Sequence, residues 1–478
     1  MVELANEWGT FTYSAAEKRT PLSVDELTDL VGHARRIGHR VKPIGGRHSF
    51  NAILGTSGIA VDLAAMNRIL SVDPATGRVE AEAGASLGDV IAAADAQGLH
   101  FPSLGSWHSQ SLAGAIATST HGSSMTHGSL SDIVLEVEAV LADGSVRRFA
   151  GGAELRAMRC HLGQLGIVTK VKLQLVPAFW LSCRREQVPD RAGFAEIADR
   201  ARHAEYVNML WLPYLDQAVI RTLTRTPVHR RNKAAEDLEK KFTGKSKFGH
   251  TREDLRNYAL GHAYLRLPGL LAKRYSRAVR EAFDEDDRVI DKSYRVFLYD
   301  QYREPTENRQ LRLLMNSEYA IPVTQLAGVM TELKAVLDSH RARGDVINYP
   351  RIHVRFTPRS DATLIGLNSD RDTAFVGIYI VASIRHAPQI PIAEAMEHVF
   401  AQASGRPHWG KYRYLLGDGY LETYAGMAAF LDVRDRLDPE GMFRDGADPF
   451  AGLPRFEQPP SGRVRSVFSD PYRDIRLL

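Results

Sequence analysis

Residues 105–130 restrict the fold of this chain more than any other stretch, because they are mostly small and include no Asp, Glu, Lys or Arg. The stretch reads GSWHSQSLAGAIATSTHGSSMTHGSL. Small residues let backbone amides and Ser or Thr hydroxyls approach a large ligand closely, and such groups bind a pyrophosphate without a lysine. A buried helix rich in Ala and Gly is the alternative interpretation. The stretch therefore predicts either a surface that faces a ligand or a tightly packed helix.

Short strands and helices surround this stretch. Ser23 followed by Glu26 predicts the start of a helix, because the pair matches a capping box. Residues 40–44 predict a strand, and Asp143-Gly144 predicts a hairpin turn. A doubly wound sheet requires regular alternation of strands and helices, and this region lacks it. Residues 21–177 are therefore predicted to form an α+β domain with many short strands.

The pattern changes after Pro177. Residues 180–223 and 293–382 are predicted to be rich in strands, with a helix over residues 322–339. Between them, residues 225–291 are dense in Lys and Arg, and their larger side chains recur at helical spacing. We interpret this region as a solvated helical excursion. A basic surface that contacts a membrane or an acidic partner is the alternative.

Composition narrows the functional classes. The 61 Lys and Arg residues nearly balance 57 Asp and Glu residues, so the charge of +4 does not indicate binding of nucleic acid. Cys160 and Cys183 cannot form a disulfide framework or a zinc site, and no metal site is predicted. The N-terminus lacks the features of a secretory signal, and no apolar run is long enough to span a bilayer. A cytoplasmic protein is expected.

Two further motifs carry chemically useful side chains. Residues 43–51 read PIGGRHSFN directly after the predicted strand, and paired glycines allow a sharp turn close to a phosphate. Residues 406–411 read RPHWGK and place His408 and Lys411 three residues apart. Each motif alone is weak, since His48 in the first could equally be a surface histidine.

In combination and in this order, the motifs resemble the FAD-dependent oxidases of the vanillyl-alcohol oxidase type. Within that group the chain is most similar to the aldonolactone and alditol oxidases. The resemblance extends over nearly the whole chain and includes GGRHSF, LGSWHSQSLAGAIATSTHG, HLGQLGIVTKVKLQLVP, RPHWGK and RLDPEGMF.

The resemblance implies a two-domain α+β fold with a substrate (cap) domain built on an antiparallel sheet. Residues 1–177 would bind FAD and residues 178–400 would form the cap. Residues 401–450, after a helix predicted over residues 391–400, would return to the FAD domain. Residues 451–478 are rich in Pro, Arg and Asp and are predicted to form an extended tail.

The same resemblance implies how FAD is held. His48 would bond covalently to the 8α-methyl carbon of the flavin, and no cysteine near residues 105–130 could make a second link. Gly166, Ile167 and Val168 match positions that hold the adenine end. The residues that would line the pyrophosphate are Gly45, Gly46, Arg47, Ser49, Ser111, Gly114, Thr118, Thr120, His121 and Gly122.

For catalysis, the resemblance implies hydride transfer from an alcohol carbon of a small-molecule substrate to the flavin, and reoxidation by dioxygen to hydrogen peroxide. Ser106 would lie beside flavin and substrate, and Gly105 would leave room for dioxygen. Lys411 would stabilise negative charge on the reduced ring. Either His408 or Lys411 would assist loss of the hydroxyl proton. An acceptor other than dioxygen remains the alternative.

One position departs from the family pattern. Relatives carry a Glu-x-Arg pair that binds substrate hydroxyls, whereas this chain has His353 and Arg355. A histidine accepts one hydrogen bond but cannot offer the bidentate contact of a carboxylate. A substrate with fewer hydroxyls than a sugar lactone or alditol is therefore an alternative.

Overall fold

The first helix begins where its capping residues predict. In the computed structural model, helix α1 spans Val24–Arg36, and the Ser23 side chain accepts a hydrogen bond from the Glu26 amide at 3.2 Å. Its buried side chains Leu27 and Val31 pack into the core. The structure describes residues 1–7, 9–243, 260, 263–264, 267–284, 287–303, 314–381, 389–415, 417–444 and 450.

Helices and strands alternate irregularly along the described chain. The helices are α1 Val24–Arg36, α2 Leu87–Ala96, α3 Leu112–Ala117, α4 Gly152–Met158, α5 Asp190–His203, α6 Lys233–Thr243, α7 Pro268–Phe283, α8 Ser293–Arg303, α9 Leu326–Ala342, α10 Ile390–Gln402 and α11 Met427–Leu437. The strands are β1 Val2–Ala5, β2 Thr12–Ala15, β3 Glu17–Arg19, β4 Val41–Ile44, β5 Ile59–Asp62, β6 Ile69–Asp73, β7 Arg78–Glu82, β8 Leu99–His100, β9 Val134–Val140, β10 Val146–Phe149, β11 Ile167–Gln174, β12 Val176–Pro177, β13 Trp180–Pro189, β14 Tyr206–Leu212, β15 Gln217–Thr226, β16 Ile290–Lys292, β17 Leu314–Pro322, β18 Ile352–Thr357, β19 Thr373–Val381 and β20 Arg406–Pro407.

Two sheets support the first part of the chain. A small parallel sheet has the order β3-β5-β4, and a larger antiparallel sheet has the order β10-β9-β11-β7-β6. Helix α3 packs on β11 and follows the loop that contains Ser106. Strand β4 ends at Ile44, so the GGRHSF loop leaves the edge of the parallel sheet.

The second part of the chain is dominated by one eight-stranded sheet. Its order is β16-β13-β15-β14-β18-β19-β17-β20, and its neighbouring strands are antiparallel. Helices α5, α9 and α10 cover one face and share a hydrophobic core with it. The fold is therefore the α+β arrangement, with an antiparallel substrate-side sheet, that the sequence predicts.

The two faces of this sheet differ in chemistry because strand side chains alternate in direction. On β18, Ile352 and Val354 are buried in the core beneath the helices. The intervening His353 and Arg355 point to the opposite face. Arg355 thereby lines a cavity on that face, so the alternation of side chains along β18 places a positive charge there.

Two helices interrupt regions that the sequence analysis treated as strand-rich. Helix α5 lies between β13 and β14, and its Phe194 packs edge-on against Trp211 with ring centroids 5.0 Å apart. Helix α8 occupies Ser293–Arg303, where strand was also expected. The prediction of two strand-rich regions did not include either helix. Phe194 and Ile197 in α5 are buried and follow helical spacing.

The C-terminal segment returns to the first part of the chain. The Val41 amide donates a hydrogen bond to the Met442 carbonyl at 2.9 Å, and α11 packs on α4. The predicted excursion over residues 225–291 includes α6 and α7, and its other residues lie partly outside the described chain. The predicted tail over residues 451–478 lies entirely outside it. Among the described helices, none is both long and apolar enough to cross a membrane.

Candidate active site

A cavity of about 390 Å³ lies where the GGRHSF loop, residues 105–121 and the open face of the eight-stranded sheet meet. Its size is within the usual range for ligand pockets. Sixteen residues predicted from the sequence line it, namely Gly45, Gly46, Arg47, His48, Ser49, Gly105, Ser106, Ser111, Gly114, Thr118, Thr120, His121, Val168, Arg355, His408 and Lys411.

Four predicted residues lie outside this lining. A Cβ on Gly122 would lie 2.2 Å from Ser103 Oγ, and one on Gly166 would lie 2.9 Å from the Val140 carbonyl oxygen, so both glycines serve close packing. Ile167 is fully buried in the core. The His353 ring lies edge-on to Tyr379, with centroids 5.6 Å apart.

The GGRHSF loop fits closely against the segment before α3. A Cβ on Gly45 would lie only 2.1 Å from Ser111 Oγ, so a side chain there would displace the loop. The Gly46 amide donates a hydrogen bond to the same hydroxyl at 3.2 Å. Arg47 has φ of +59°, in the left-handed region that few residues other than glycine adopt. This turn carries the chain to His48.

His48 is buried against the wall of the cavity. Ser109 Oγ lies 3.2 Å from its Nε2, and the Trp107 ring lies 6.3 Å away between centroids. Its Nδ1 is also buried and has no hydrogen-bond partner among the described residues. Burial, with Lys411 and Arg47 nearby, lowers the pKa of His48 to about 4. The imidazole is therefore neutral at pH 7 and has one nitrogen without a hydrogen-bond partner in the described part of the chain.

The HWGK loop is held from two sides by backbone contacts. The His408 amide donates to the Glu318 carbonyl at 2.8 Å, and the Phe50 amide donates to the Gly410 carbonyl at 2.8 Å. The Asn51 side chain donates to the carbonyl oxygens of Trp409 and Lys411, at 2.7 and 2.9 Å. Lys411 Nζ lies 4.9 Å from the centre of the Phe50 ring. These contacts fix Lys411 beside the loop that carries His48.

Glu318 is the functional candidate that the sequence analysis missed. It lies on β17 and is 1% exposed, and its Oε1 accepts a hydrogen bond from Arg355 Nη2 at 2.5 Å. The carboxylate thus comes from a neighbouring strand rather than from position 353. A lone acidic residue inside the strand LMNSEYAIP was the available signal. Its pairing with Arg355 depends on strand order, which the sequence does not state.

A glycine between the two strands makes this pairing possible. Gly377 on β19 is the register partner of Glu318 on one side and of His353 on the other. A Cβ on Gly377 would lie 3.5 Å from Glu318 Oε1, so the carboxylate lies directly over this glycine as it reaches Arg355. A large side chain at position 377 would occupy that path.

His121 joins this group from the other side of the cavity. Its ring stacks on Phe375 of β19, with centroids 3.5 Å apart, and its Nε2 lies 3.6 Å from Glu318 Oε2. The family resemblance implied that His121 lines the pyrophosphate. The structure instead surrounds its ring with substrate-side residues, because the chain after α3 runs across the open face of the large sheet.

The charges in this group follow from burial and from Arg355. Burial alone would raise the pKa of Glu318, but Arg355 and then His121 hold it well below its ordinary value. Burial lowers the pKa of His121, and Arg355 lowers it further. Burial likewise keeps the pKa of His408 well below its ordinary value. At neutral pH the carboxylate is ionised and both histidines are neutral.

His121, Glu318 and His408 also have donor atoms within 4.8 Å of one another, a spacing that a metal ion would accept. The Gly410 amide, however, donates to His408 Nδ1 at 3.0 Å, so the neutral ring carries its proton on Nε2. A metal ligand needs a nitrogen lone pair, and His408 therefore has none to offer. The arrangement suits a polar organic ligand better than a metal.

Glu397 holds the site together from behind the sheet. Its carboxylate accepts hydrogen bonds from Ser317 Oγ at 2.6 Å and Tyr319 OH at 3.0 Å, on either side of Glu318. It also accepts from the amides of Tyr414 and Leu415, both at 2.8 Å, just after the HWGK loop. Burial raises its pKa to about 7. One side chain thus links the strand of Glu318 to the loop of Lys411.

Replacement of Glu397 by Ala removes the acceptor of four hydrogen bonds, and we expect it to lower the free energy of unfolding by about 3 kcal/mol. Glu397→Gln keeps most of these contacts and is the matched control. Because the pKa of Glu397 is raised in the folded state, the stabilisation that this side chain contributes is fully present below about pH 4.5. It is lost as pH rises through 7. Between pH 5 and 8, the free energy of unfolding in urea should therefore fall more for the wild type than for Glu397→Gln. An equal change with pH in the two proteins would contradict this.

The cavity fits a flavin cofactor on two structural observations. The Gly45–Ser111 contact leaves a smooth backbone cradle that any Cβ would fill, and His48 presents an unengaged buried nitrogen. Neither Cys160 nor Cys183 lines the cavity, and both are buried.

Comparison with known proteins gives the same class. The FAD binding domain family matches residues 18–150, and the D-arabinono-1,4-lactone oxidase family matches residues 171–447. L-gulono-1,4-lactone dehydrogenase of Mycobacterium tuberculosis is 31% identical over 432 residues, which cover 88% of this chain and 92% of that protein. L-gulonolactone oxidase of Mus musculus is 27% identical over 458 residues, covering 92% and 96%. The crystal structure of a cholesterol oxidase from B. sterolicum superimposes with a TM-score of 0.73 at 15% identity, covering 92% of this chain and 95% of that one.

The family matches define an FAD-binding oxidoreductase that acts on CH–OH donors, and its fold is that of the vanillyl-alcohol oxidase type. Within this class, the chain belongs to the D-arabinono-1,4-lactone oxidase family.

Proposed function

We propose that this protein oxidises an alcohol carbon of a sugar lactone or a related polyol, with FAD covalently attached to His48 and dioxygen as the electron acceptor. The observation that carries the substrate class is the Glu318–Arg355 pair at the cavity wall. A carboxylate and a guanidinium side by side bind both the donor and acceptor sides of neighbouring hydroxyls.

The Glu318–Arg355 pair provides a carboxylate at the site even though position 353 carries a histidine. Because Glu318 supplies a carboxylate from β17, the site keeps the two charged groups expected of a polyol site, in a different geometry. The names of the relatives agree, since the mycobacterial and murine proteins are both named for gulonolactone. A substrate with several hydroxyls is thus favoured over a simple alcohol.

Covalent attachment is supported by the state of His48. A bond from an imidazole to a flavin carbon needs a neutral ring with an available nitrogen. Burial keeps the ring neutral, and Ser109 engages Nε2, so Nδ1 is the nitrogen we propose to form the bond. Peptide mapping with mass spectrometry should place the flavin on the His48 peptide, and NMR of that peptide should identify the nitrogen.

When bound, FAD would accept a hydride from the alcohol carbon and deliver two electrons to the acceptor. The chain itself would supply three things. His48 would keep the cofactor in place, Lys411 would offer a fixed positive charge beside it, and Glu318 with Arg355 would orient the substrate. The HWGK loop and β17 are joined by backbone hydrogen bonds, so these groups are positioned together.

Dioxygen is proposed as the acceptor because Gly105 lines the cavity without a side chain. A second candidate, a dehydrogenase that uses a quinone or carrier protein, is favoured by the name of the mycobacterial relative. Comparing flavin reoxidation in air with that by an artificial acceptor separates the two. The predicted cytoplasmic location and a peripheral membrane contact both remain predictions.

Gly105→Ala tests the dioxygen proposal. Gly105 lines the cavity, and a Cβ there would lie 3.2 Å from the His121 carbonyl oxygen and 3.4 Å from Thr120 Cγ2, so the added methyl group crowds this part of the cavity wall. We expect the bimolecular rate of flavin reoxidation by dioxygen to fall at least about tenfold, or about 1.4 kcal/mol in barrier. Stopped-flow measurement of reduction and reoxidation separately isolates the effect on oxygen. An unchanged reoxidation rate would mean that oxygen does not pass Gly105.

The substrate proposal is tested by anaerobic bleaching of the flavin. The panel consists of aldonolactones, alditols and unrelated alcohols. Bleaching by the first two groups alone supports the proposal. Bleaching only by alcohols without neighbouring hydroxyls would contradict the role given to Glu318 and Arg355.

A further inference from the structure

Two hydrogen-bond acceptors face each other in the cavity wall. His121 Nδ1 lies 3.0 Å from the Gly122 carbonyl oxygen, which only accepts, so Nδ1 carries the proton and Nε2 has the lone pair. That Nε2 lies 3.6 Å from Glu318 Oε2, which is longer than a hydrogen bond. Both atoms are buried and have no hydrogen-bond partner within the described chain. A hydrogen-bond donor beside them would satisfy both acceptors.

His408 completes the group with the opposite polarity. Because its Nδ1 accepts from the Gly410 amide, its Nε2–H is a donor. Its ring centroid lies 5.7 Å from that of His121. His121, Glu318 and His408 all line the cavity, and each offers a polar atom within 4.8 Å of the others. One donor and two acceptors thus lie close together in the cavity wall. An alcohol hydroxyl matches this set, since it donates one hydrogen bond and accepts others.

A metal cation or a proton fits less well than a hydroxyl beside His121 Nε2 and Glu318 Oε2. A divalent cation would gain only two ligands, and the Arg355 guanidinium already lies on the other oxygen of Glu318, where it would repel a second cation. A proton on His121 would satisfy the pair, but burial and Arg355 both disfavour the imidazolium while the site is empty of substrate. A neutral hydroxyl meets neither objection.

Building on the proposed function, we propose that His121 is the base that takes the proton from the substrate hydroxyl, and that Glu318 stabilises the resulting imidazolium. His408 would donate to the same oxygen and hold it in place. The family resemblance pointed only to His408 and Lys411 for the proton, because His121 belongs to a segment that resembles a pyrophosphate site.

The step balances as a two-electron oxidation. The O–H bond breaks and its proton goes to His121 Nε2. The C–H bond would break with its electron pair, which bound FAD would accept as hydride, and the alcohol carbon would become a carbonyl. Stacking on Phe375 and the contact with the Gly122 carbonyl hold the His121 ring in one orientation and one tautomer, as a base requires.

Anaerobic stopped-flow reduction with a lactone that bleaches the wild type tests the proposal. We expect His121→Gln to slow flavin reduction about 10²–10⁴-fold while the substrate dissociation constant changes less than tenfold. Glu318→Gln should slow reduction and shift the pH profile of its rate to lower pH, because the imidazolium loses its anionic partner. A merely structural role would leave that profile in place.

The matched control is His100→Gln. His100 is also buried and also lies beside a carboxylate, with Nε2 3.0 Å from Asp95 Oδ1, but it is outside the cavity lining. Its loss should lower the melting temperature without changing the reduction rate. Equal reduction rates in His121→Gln and the wild type would overturn the proposal.

A measurement independent of turnover uses protein labelled with ¹⁵N-histidine, with the His121 signals assigned by their loss in His121→Gln. We expect an unprotonated Nε2 at neutral pH, which protonates at still lower pH in Glu318→Gln. A protonated Nε2, or loss of its signal on titration with Zn²⁺ at stoichiometric ratio, would overturn the proposal in favour of an ion pair or a metal. If no alcohol bleaches the flavin of the wild type, the proposed function is wrong. The NMR measurement then still determines the protonation state of His121 beside Glu318.

Discussion

Replacement of His48 by Ala is expected to yield a protein whose flavin is released completely on denaturation, whereas the wild type retains it. The His48 ring is neutral and its Nδ1 is buried in the cavity wall without a hydrogen-bond partner among the residues that the structure describes, and Ser109 holds the ring from its other nitrogen. Since a covalent link raises the reduction potential of the flavin, turnover should also fall about tenfold or more even when FAD is supplied. Flavin fluorescence on a denaturing gel, followed by mass spectrometry, measures the attachment.

His161→Ala is the matched control for this experiment. His161 lines the same cavity, and burial lowers its pKa to about 4, as it does for His48. Its replacement should leave flavin on the denatured chain. Release of flavin from the denatured wild type would show that the attachment proposal is wrong. Retention by His48→Ala would point to another residue.

Lys411→Met is expected to slow anaerobic flavin reduction about 10²–10³-fold, with a smaller effect on substrate binding. The ammonium group is a fixed charge in a buried cavity, where it would stabilise negative charge that develops during reduction. The backbone of Lys411 is held by His408 and Asn51 through its own amide and carbonyl, so the variant should fold normally. Stopped-flow reduction and the reduction potential of the flavin measure the effect.

Lys411→Arg is the control that keeps the charge but changes its shape. It should lose less activity than Lys411→Met and should keep a potential closer to that of the wild type. An unchanged potential in Lys411→Met would mean that the ammonium group does not act on the flavin. Lowered affinity with an unchanged reduction rate would instead assign Lys411 to substrate binding.

Much of the fold could be predicted because its determinants are local. The Ser23 cap, the strand before Gly45 and the hairpin at Asp143-Gly144 each depend on a few adjacent residues, and all are present in the structure. Helices α5 and α8 were missed because a long region was assigned from its average composition.

The candidate site divides in the same way. His48 and Lys411 lie in short motifs whose residue order indicates their chemistry. Glu318 could not be recognised, because its partner Arg355 is 37 residues away and the two meet only across β19. His121 lies in a recognised motif, but the contacts that suggest its role come from Phe375 and Glu318 on distant strands.

The sequence by itself determined the local features: the uncharged small residues over 105–130 and the glycine turn before His48, which in combination with RPHWGK indicated an FAD-binding protein. These features depend only on residues that are adjacent in the sequence. Only the tertiary structure decided where the substrate-side carboxylate lies, because the order of antiparallel strands selects which side chains become neighbours. That order brought Glu318 over Gly377 to Arg355 and His121, where we propose that it takes the place of the carboxylate missing at position 353.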